Sequence, residues 1–104
     1  MTAIGELNVT PVREGSLSGA IAKAIEALDS FDVSYETNPM GTVLEADDAS
    51  ELFAAAEAAH EAVEGVRVIT TLKIDDKRTV SQRAEEKVAA VERRLGREAK
   101  RERD

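Results

Sequence analysis

The chain of 104 residues is long enough for one domain with one ordinary core. It contains no cysteine, one histidine, no tryptophan and only Phe31, Tyr35 and Phe53 as further aromatics. That excludes disulfides, zinc–thiolate and iron–sulfur sites and thiol nucleophiles, and leaves little for a histidine metal centre or a base-stacking platform. Charge is unevenly placed: residues 1–76 hold four basic groups against fifteen acidic ones, a net of −11, while residues 77–104 hold ten against six, a net of +4. The acidic body repels phosphate backbones, so no nucleic-acid partner is expected. The basic end interleaves Glu with Lys and Arg, as a solvated helix face does. No apolar stretch approaches the roughly 18 residues of a membrane span, and the N-terminus lacks a signal-peptide pattern. A soluble, cytoplasmic protein with no membrane partner is expected.

Along the chain, residues 3–12 alternate in a two-residue period, with Ala3, Gly5, Leu7 and Val9 on one side and Ile4, Glu6, Asn8 and Thr10 on the other. This reads as a strand with one core face and one polar face. Gly15-Ser16 lead into a helix with apolar positions Leu17, Ile21, Ala24, Ile25 and Leu28, and Ser16 or Ser18 is the expected N-cap. Residues 33–38 form a second strand, Pro39-Met40-Gly41 break or bulge the chain, and Thr42–Glu45 resume as a third. Asp48 with Glu51 has capping-box spacing ahead of an alanine-rich helix that Gly65 stops. Residues 66–75 form the fourth strand, with Val66, Val68 and Leu72 toward the helices and Arg67, Ile69, Thr71 and Lys73 on the other side. Thr79 with Gln82 is expected to cap a last helix with the narrow stripe Ala84, Val88, Val91 and Leu95.

The order predicts an α/β (α+β) ferredoxin-like sandwich: βαββαβ with an extra C-terminal helix, and a four-stranded antiparallel sheet with two helices on one face. The domain spans residues 1–96, and residues 97–104 form a charged, frayed tail. The other sheet face is left open, carrying Ile4, Ile69 and Leu44 or Val43 beside polar groups. A second copy of the chain is its most economical cover.

Asn8-Val-Thr-Pro-Val12, Gly15-Ser16, Tyr35-Glu-Thr-Asn-Pro-Met-Gly-Thr42, His60-Glu61-Ala62 and Thr71-Leu-Lys-Ile-Asp-Asp-Lys-Arg78 occur in this order over residues 3–96. Together they resemble the small thiamine-binding proteins of ferredoxin-like fold, relatives of YkoF. The resemblance implies dimers built by pairing sheet edges, stacked sheet to sheet into a dimer of dimers, with thiamine or its hydroxymethylpyrimidine part held in clefts on the sheet.

Thiamine joins a cationic thiazolium to an aminopyrimidine, so its site needs a carboxylate, neutral donor–acceptor pairs and a flat wall. The expected open face offers Glu6, Asn8, Thr71 and Lys73, and the 35–42 segment adds Tyr35, Thr37, Asn38, Met40 and Thr42. In this reading Glu6 neutralises the cation, Asn8 and Asn38 supply amides, and Tyr35 or Met40 forms the wall. Each residue also has a plainer role. Glu6 can pair with Lys73 or Arg67, Tyr35 can be an interface aromatic, and Met40 can fill a bulge. Asn38 can serve the turn, and Ser16 can cap a helix whose N-terminus also suits a ligand hydroxyl or phosphate. His60 reads as packed and hydrogen-bonded, and Asp75-Asp76 as salt-bridge partners of Lys77 and Arg78. No nucleophile–base pair, phosphate loop or metal-spaced histidines stand in the sequence, so no enzyme, cofactor or metal is expected. A ligand-free oligomeric interaction protein of the same fold is the alternative reading.

Overall fold

The computed structural model describes residues 2–100. Its elements follow the expected order: β1 (Thr2–Pro11), α1 (Ser18–Ala27) with a 3-10 turn at Leu28–Ser30, β2 (Ser34–Asn38), β3 (Gly41–Ala46), α2 (Ala49–Ala62), β4 (Val68–Lys77) and α3 (Ala84–Leu95). The four strands form one sheet in the order β2–β3–β1–β4, antiparallel throughout, which is the ferredoxin-like arrangement.

The two-residue period of β1 decides the layering. Ala3, Leu7 and Val9 are buried with Leu44 of β3, Ala24 of α1 and Leu52, Ala55, Ala56 and Ala59 of α2. Small alanines on α2 let that helix sit close to the sheet. The same alternation sends Ile4, Glu6, Asn8 and Thr10 to the opposite face, and their register partners Val43, Glu45, Lys73, Thr71 and Ile69 share it. Leu44 is fully buried, so Val43 and not Leu44 stands on the open face. The described Cα atoms extend 47 × 39 × 19 Å. Among the described residues the second sheet face has no helix layer of its own, and only the first turns of α3 reach it, at Glu45 and Asp75 on either side of Ile4.

Several local expectations need correction. The N-cap of α1 is Leu17, without a side-chain cap; Ser16 and Ser18 instead bond each other through their hydroxyls at 3.0 Å. β4 starts two residues later than expected, which leaves Val66 fully exposed ahead of the strand instead of facing the helices. α3 begins at Ala84 after Arg83, so Thr79 and Gln82 do not cap it. Phe53, whose helical spacing with Ala56, His60 and Val63 predicts a packed face, is exposed. Asp48 does cap α2, accepting from the amides of Ser50 and Glu51. His60 is half-buried and its Nδ1 lies 2.5 Å from the Thr70 hydroxyl, which ties α2 to β4. Asp76 pairs with Arg78 at 3.0 Å, whereas Asp75 pairs with Lys87 of α3. Within the charged tail, residues 101–104 lie outside the described residues. No helix among the described residues is long and apolar enough to cross a membrane.

Candidate functional site

The site arises from unequal strand lengths. β1 pairs with β4 over its whole length, Thr2–Lys77 to Pro11–Val68, but with β3 only as far as Leu7–Thr42. β2 and β3 end in a tight hairpin in which Asn38 pairs with Gly41 across Pro39-Met40. Proline at the first corner pre-sets the φ that such a turn needs. Beyond Leu7 the β3 side of β1 therefore has no strand beside it. The notch left at this corner of the sheet is a cavity of about 290 Å³, close to the lower end of small-molecule pockets, roughly 300–1,000 Å³.

Residues from both faces meet in the notch because it lies past a strand end. Leu7 and Val9 come from the helix side of β1, Asn8 and Thr10 from its open side, and Ile21, Ala24, Ile25 and Leu28 of the α1 segment form the roof. Thr37, Asn38, Pro39, Met40, Gly41 and Thr42 close the hairpin side. Gly41 sets the approach. It has φ +155°, and a Cβ placed there would lie 2.9 Å from Asn8 Nδ2 and 3.0 Å from its Oδ1. Only glycine lets the Asn8 amide lie flat against the hairpin.

The chemistry of the lining is specific. Fourteen residues line the cavity and none carries an ionisable side chain. Among the described residues, the side chains of Asn8, Thr10, Thr37, Asn38 and Thr42 make no hydrogen bond within the chain. Thr42 is only 6% exposed. Among the described residues no fully buried side-chain oxygen or nitrogen lacks a partner, so the hydroxyl of Thr42, which lines the cavity, keeps some exposure. The notch thus presents amide and hydroxyl groups without partners beside aliphatic walls, with the 83%-exposed Met40 at its rim. Such a surface suits a neutral, flat heteroaromatic with donors and acceptors along one edge.

Five of the nine expected ligand residues are brought together here: Asn8, Thr37, Asn38, Met40 and Thr42. Four are not. Glu6 lies on the open sheet face opposite Val43 and Lys73, and among the described residues neither Glu6 nor Lys73 forms an ion pair. Ser16 stands in the exposed loop before α1, where Arg13 donates to its carbonyl. Tyr35 lies opposite Leu44, on the helix side, and donates from its hydroxyl to Asp29 at 2.7 Å. That hydrogen bond, with smaller contributions from burial and the Asp29 charge, raises the Tyr35 phenol above its ordinary 10.0. The nine expected residues are thus divided among the corner notch, the open sheet face and positions outside both. The roof residues Ile21, Ile25 and Leu28 read in the sequence as core alone. Among the described residues no group of three or more His, Asp or Glu could hold a metal ion.

A family model described as thiamine-binding protein matches residues 5–92. A UPF0045 protein of Methanothermobacter thermautotrophicus is 46% identical over 95 residues, which span 86% of this chain and 96% of the relative. The crystal structure of a Methanocaldococcus jannaschii protein superposes with a TM-score of 0.80 at 36% identity, covering 86% of this chain and 95% of that one. A candidate thiamine biosynthesis/salvage protein of Thermotoga maritima superposes with a TM-score of 0.73 at 24% identity, over 88% and 99% of the two chains. This last likeness bears on the fold.

Proposed function

Because the chain belongs to the thiamine-binding protein family, we propose that its notch takes the aminopyrimidine of thiamine, or free hydroxymethylpyrimidine, and that the protein holds this compound without converting it. The observation that carries the proposal is the set of unpartnered amides and hydroxyls of Asn8, Asn38 and Thr42 in a cavity free of charge. An aminopyrimidine offers an amine donor and ring-nitrogen acceptors, and each asparagine amide can meet one of each. Leu7, Val9 and Ile25 supply apolar wall for the ring. The thiazolium then projects past Met40 toward solvent, where the net charge of −11 on residues 1–76 favours a cation. A carrier, buffer or salvage role follows from binding without turnover.

Thermal shift and calorimetry with thiamine and with hydroxymethylpyrimidine test the reading. A ligand at 100 times its dissociation constant adds about 2.7 kcal/mol to stability. No shift with either compound at millimolar concentration would sink the binding function, and consumption of either above the buffer rate would sink its non-enzymatic character. Chelator is expected to leave binding unchanged.

The open part of the sheet face, beyond the start of α3, supports a second element of the proposal, self-association. Ile69 is 49% exposed there opposite Thr10, while Val43 and Ile4 stand toward the other end of the sheet, a mixed face that a second copy covers with like residues. A homo-oligomer, in the form of a dimer of dimers, is expected. The ligand-free interaction protein remains the competing function, and it is distinguished by an oligomer whose stability no thiamine-related compound changes.

A further inference from the structure

α3 leaves the body without burying one of its residues. It meets the rest of the chain through its first turns: Arg83 pairs with Glu45 at 3.4 Å, the Ala84 amide donates to the same carboxylate, and Lys87 pairs with Asp75. Past that anchor its apolar stripe stands in the open, with Val88 44%, Val91 57% and Leu95 49% exposed. With Ala84 the stripe has the 4–3–4 spacing of a heptad seam, Ala84 and Val91 at d and Val88 and Leu95 at a. The flanking positions are then sorted by sign. Glu85 and Glu92 fall at e, and Lys87 and Arg94 at g.

We propose that α3 is an association helix that pairs in parallel with α3 of a second copy, along a two-fold axis, with Val88, Val91 and Leu95 as the seam. Flanking charge sets the orientation. A parallel pair brings Lys87 of each copy to Glu92 of the other, five positions on. An antiparallel pair sets e against e and g against g, hence Glu against Glu and Lys or Arg against Arg, which repels. Both members of the cross pair have capacity left. The Lys87 ammonium has three donors and its intrachain partner is one carboxylate, while Glu92 uses one oxygen on the Ala99 amide and keeps the other. Twelve residues make about 18 Å of helix, less surface than the roughly 1,200–2,000 Å² of a stable interface. The seam therefore fixes orientation in an assembly to which the body also contributes area. This inference stands on α3 alone and is independent of the ligand.

The chain has no cysteine of its own, so single-cysteine variants of the full chain report the seam directly. Under mild oxidation Val91→Cys is expected to become mostly a disulfide-linked dimer, and Val88→Cys, one layer away, to do the same. Glu86→Cys, on the outer side of the helix, is expected to stay unlinked. In sedimentation equilibrium Val91→Glu is expected to raise the dissociation constant by about tenfold or more, with the melting temperature unchanged only at dilution where both chains are dissociated, because α3 fully buries none of its residues on its own chain. The proposal is overturned if neither seam cysteine cross-links, or if Glu86→Cys links equally well. A cross-link that forms only in a mixture of Val88→Cys and Val91→Cys marks an antiparallel pair and overturns it too, as does a wild-type chain that sediments as a monomer.

Discussion

Gly41 and Asn8 determine the shape of the notch as a pair. An added Cβ at Gly41 must push the Asn8 amide aside, and φ +155° is itself a conformation that side chains rarely adopt. Gly41→Ala is therefore expected to cost about 1–3 kcal/mol from backbone strain, plus the displacement of Asn8. Asn8→Ala alone makes no cavity in the core and breaks no hydrogen bond within the described residues, so it should hardly move stability while weakening pyrimidine binding by about tenfold. In the double variant the collision is gone and the strain remains. Denaturation of all three should show non-additivity of at least about 0.5 kcal/mol; strict additivity would mean that the amide and the glycine do not meet. The hairpin motif Asn38-Pro-Met-Gly-Thr42 could be read from the sequence because its turn chemistry is local. The split of Tyr35 and Thr37 from Asn38 was also present in the two-residue period, but only the register against Leu44 and Thr42 says which side of the sheet each member takes. Ile21 and Ile25 show the limit of such reading: periodicity gives the inward face of α1 and cannot show that part of the space beneath it is empty.

Among the elements, α2 carries the strongest local signal and the clearest test. Its cap, Asp48, accepts from the Ser50 hydroxyl and from the Ser50 and Glu51 amides. The Ser50 hydroxyl above all, then the Glu51 amide, hold the carboxyl below its ordinary 3.8. A carboxyl whose folded pKa lies below its unfolded one stabilises the fold above the unfolded value and loses that contribution as pH falls through the folded one. Asp48→Ala is thus expected to melt lower than wild type at neutral pH, with the difference shrinking as pH drops below 3.8. Asp48→Asn keeps an acceptor oxygen and should fall between them. Thermal melts at neutral pH and near pH 3 make the comparison, and an unchanging gap would remove the ionised cap from the account. Where α2 is tied to β4, Thr70→Val removes the partner of His60 and is expected to cost about 0.5–1.5 kcal/mol. Strand β4 stands two residues later than its sequence pattern predicts because its limits are set from outside. β1 pairs with it residue for residue from Pro11–Val68 to Thr2–Lys77, and nothing local in residues 66–77 records where that partner ends. The start of α3 is not legible locally for the related reason that Arg83 and Ala84 are fixed by Glu45, which is remote in sequence.

At the scale of the whole molecule, charge and site are separated, and the separation decides how a cation is recognised. The notch has no ionisable lining, Glu6 stands on the open sheet face two residues before Asn8 and outside that lining, and the −11 of residues 1–76 acts as a distributed field. A field of that kind is screened by salt, with a Debye length of about 30 Å at 0.01 M and about 3 Å at 1 M. A specific ion pair in a closed pocket would be screened much less. Thiamine affinity is therefore expected to fall by a few-fold across that range of salt, while the neutral hydroxymethylpyrimidine holds constant. Glu6→Gln removes one charge of many and should change the affinity for thiamine by less than about twofold at 0.1 M salt, where exposed charges farther apart than about 10 Å are largely screened. Calorimetry with both ligands on wild type and variant separates the possibilities. A tenfold loss confined to thiamine on Glu6→Gln would show that the carboxylate reaches the cation directly. Glu6 shares the open face with Asn8, two residues along β1, so such a loss would place the thiazolium over that face beside Asn8 and not out past Met40.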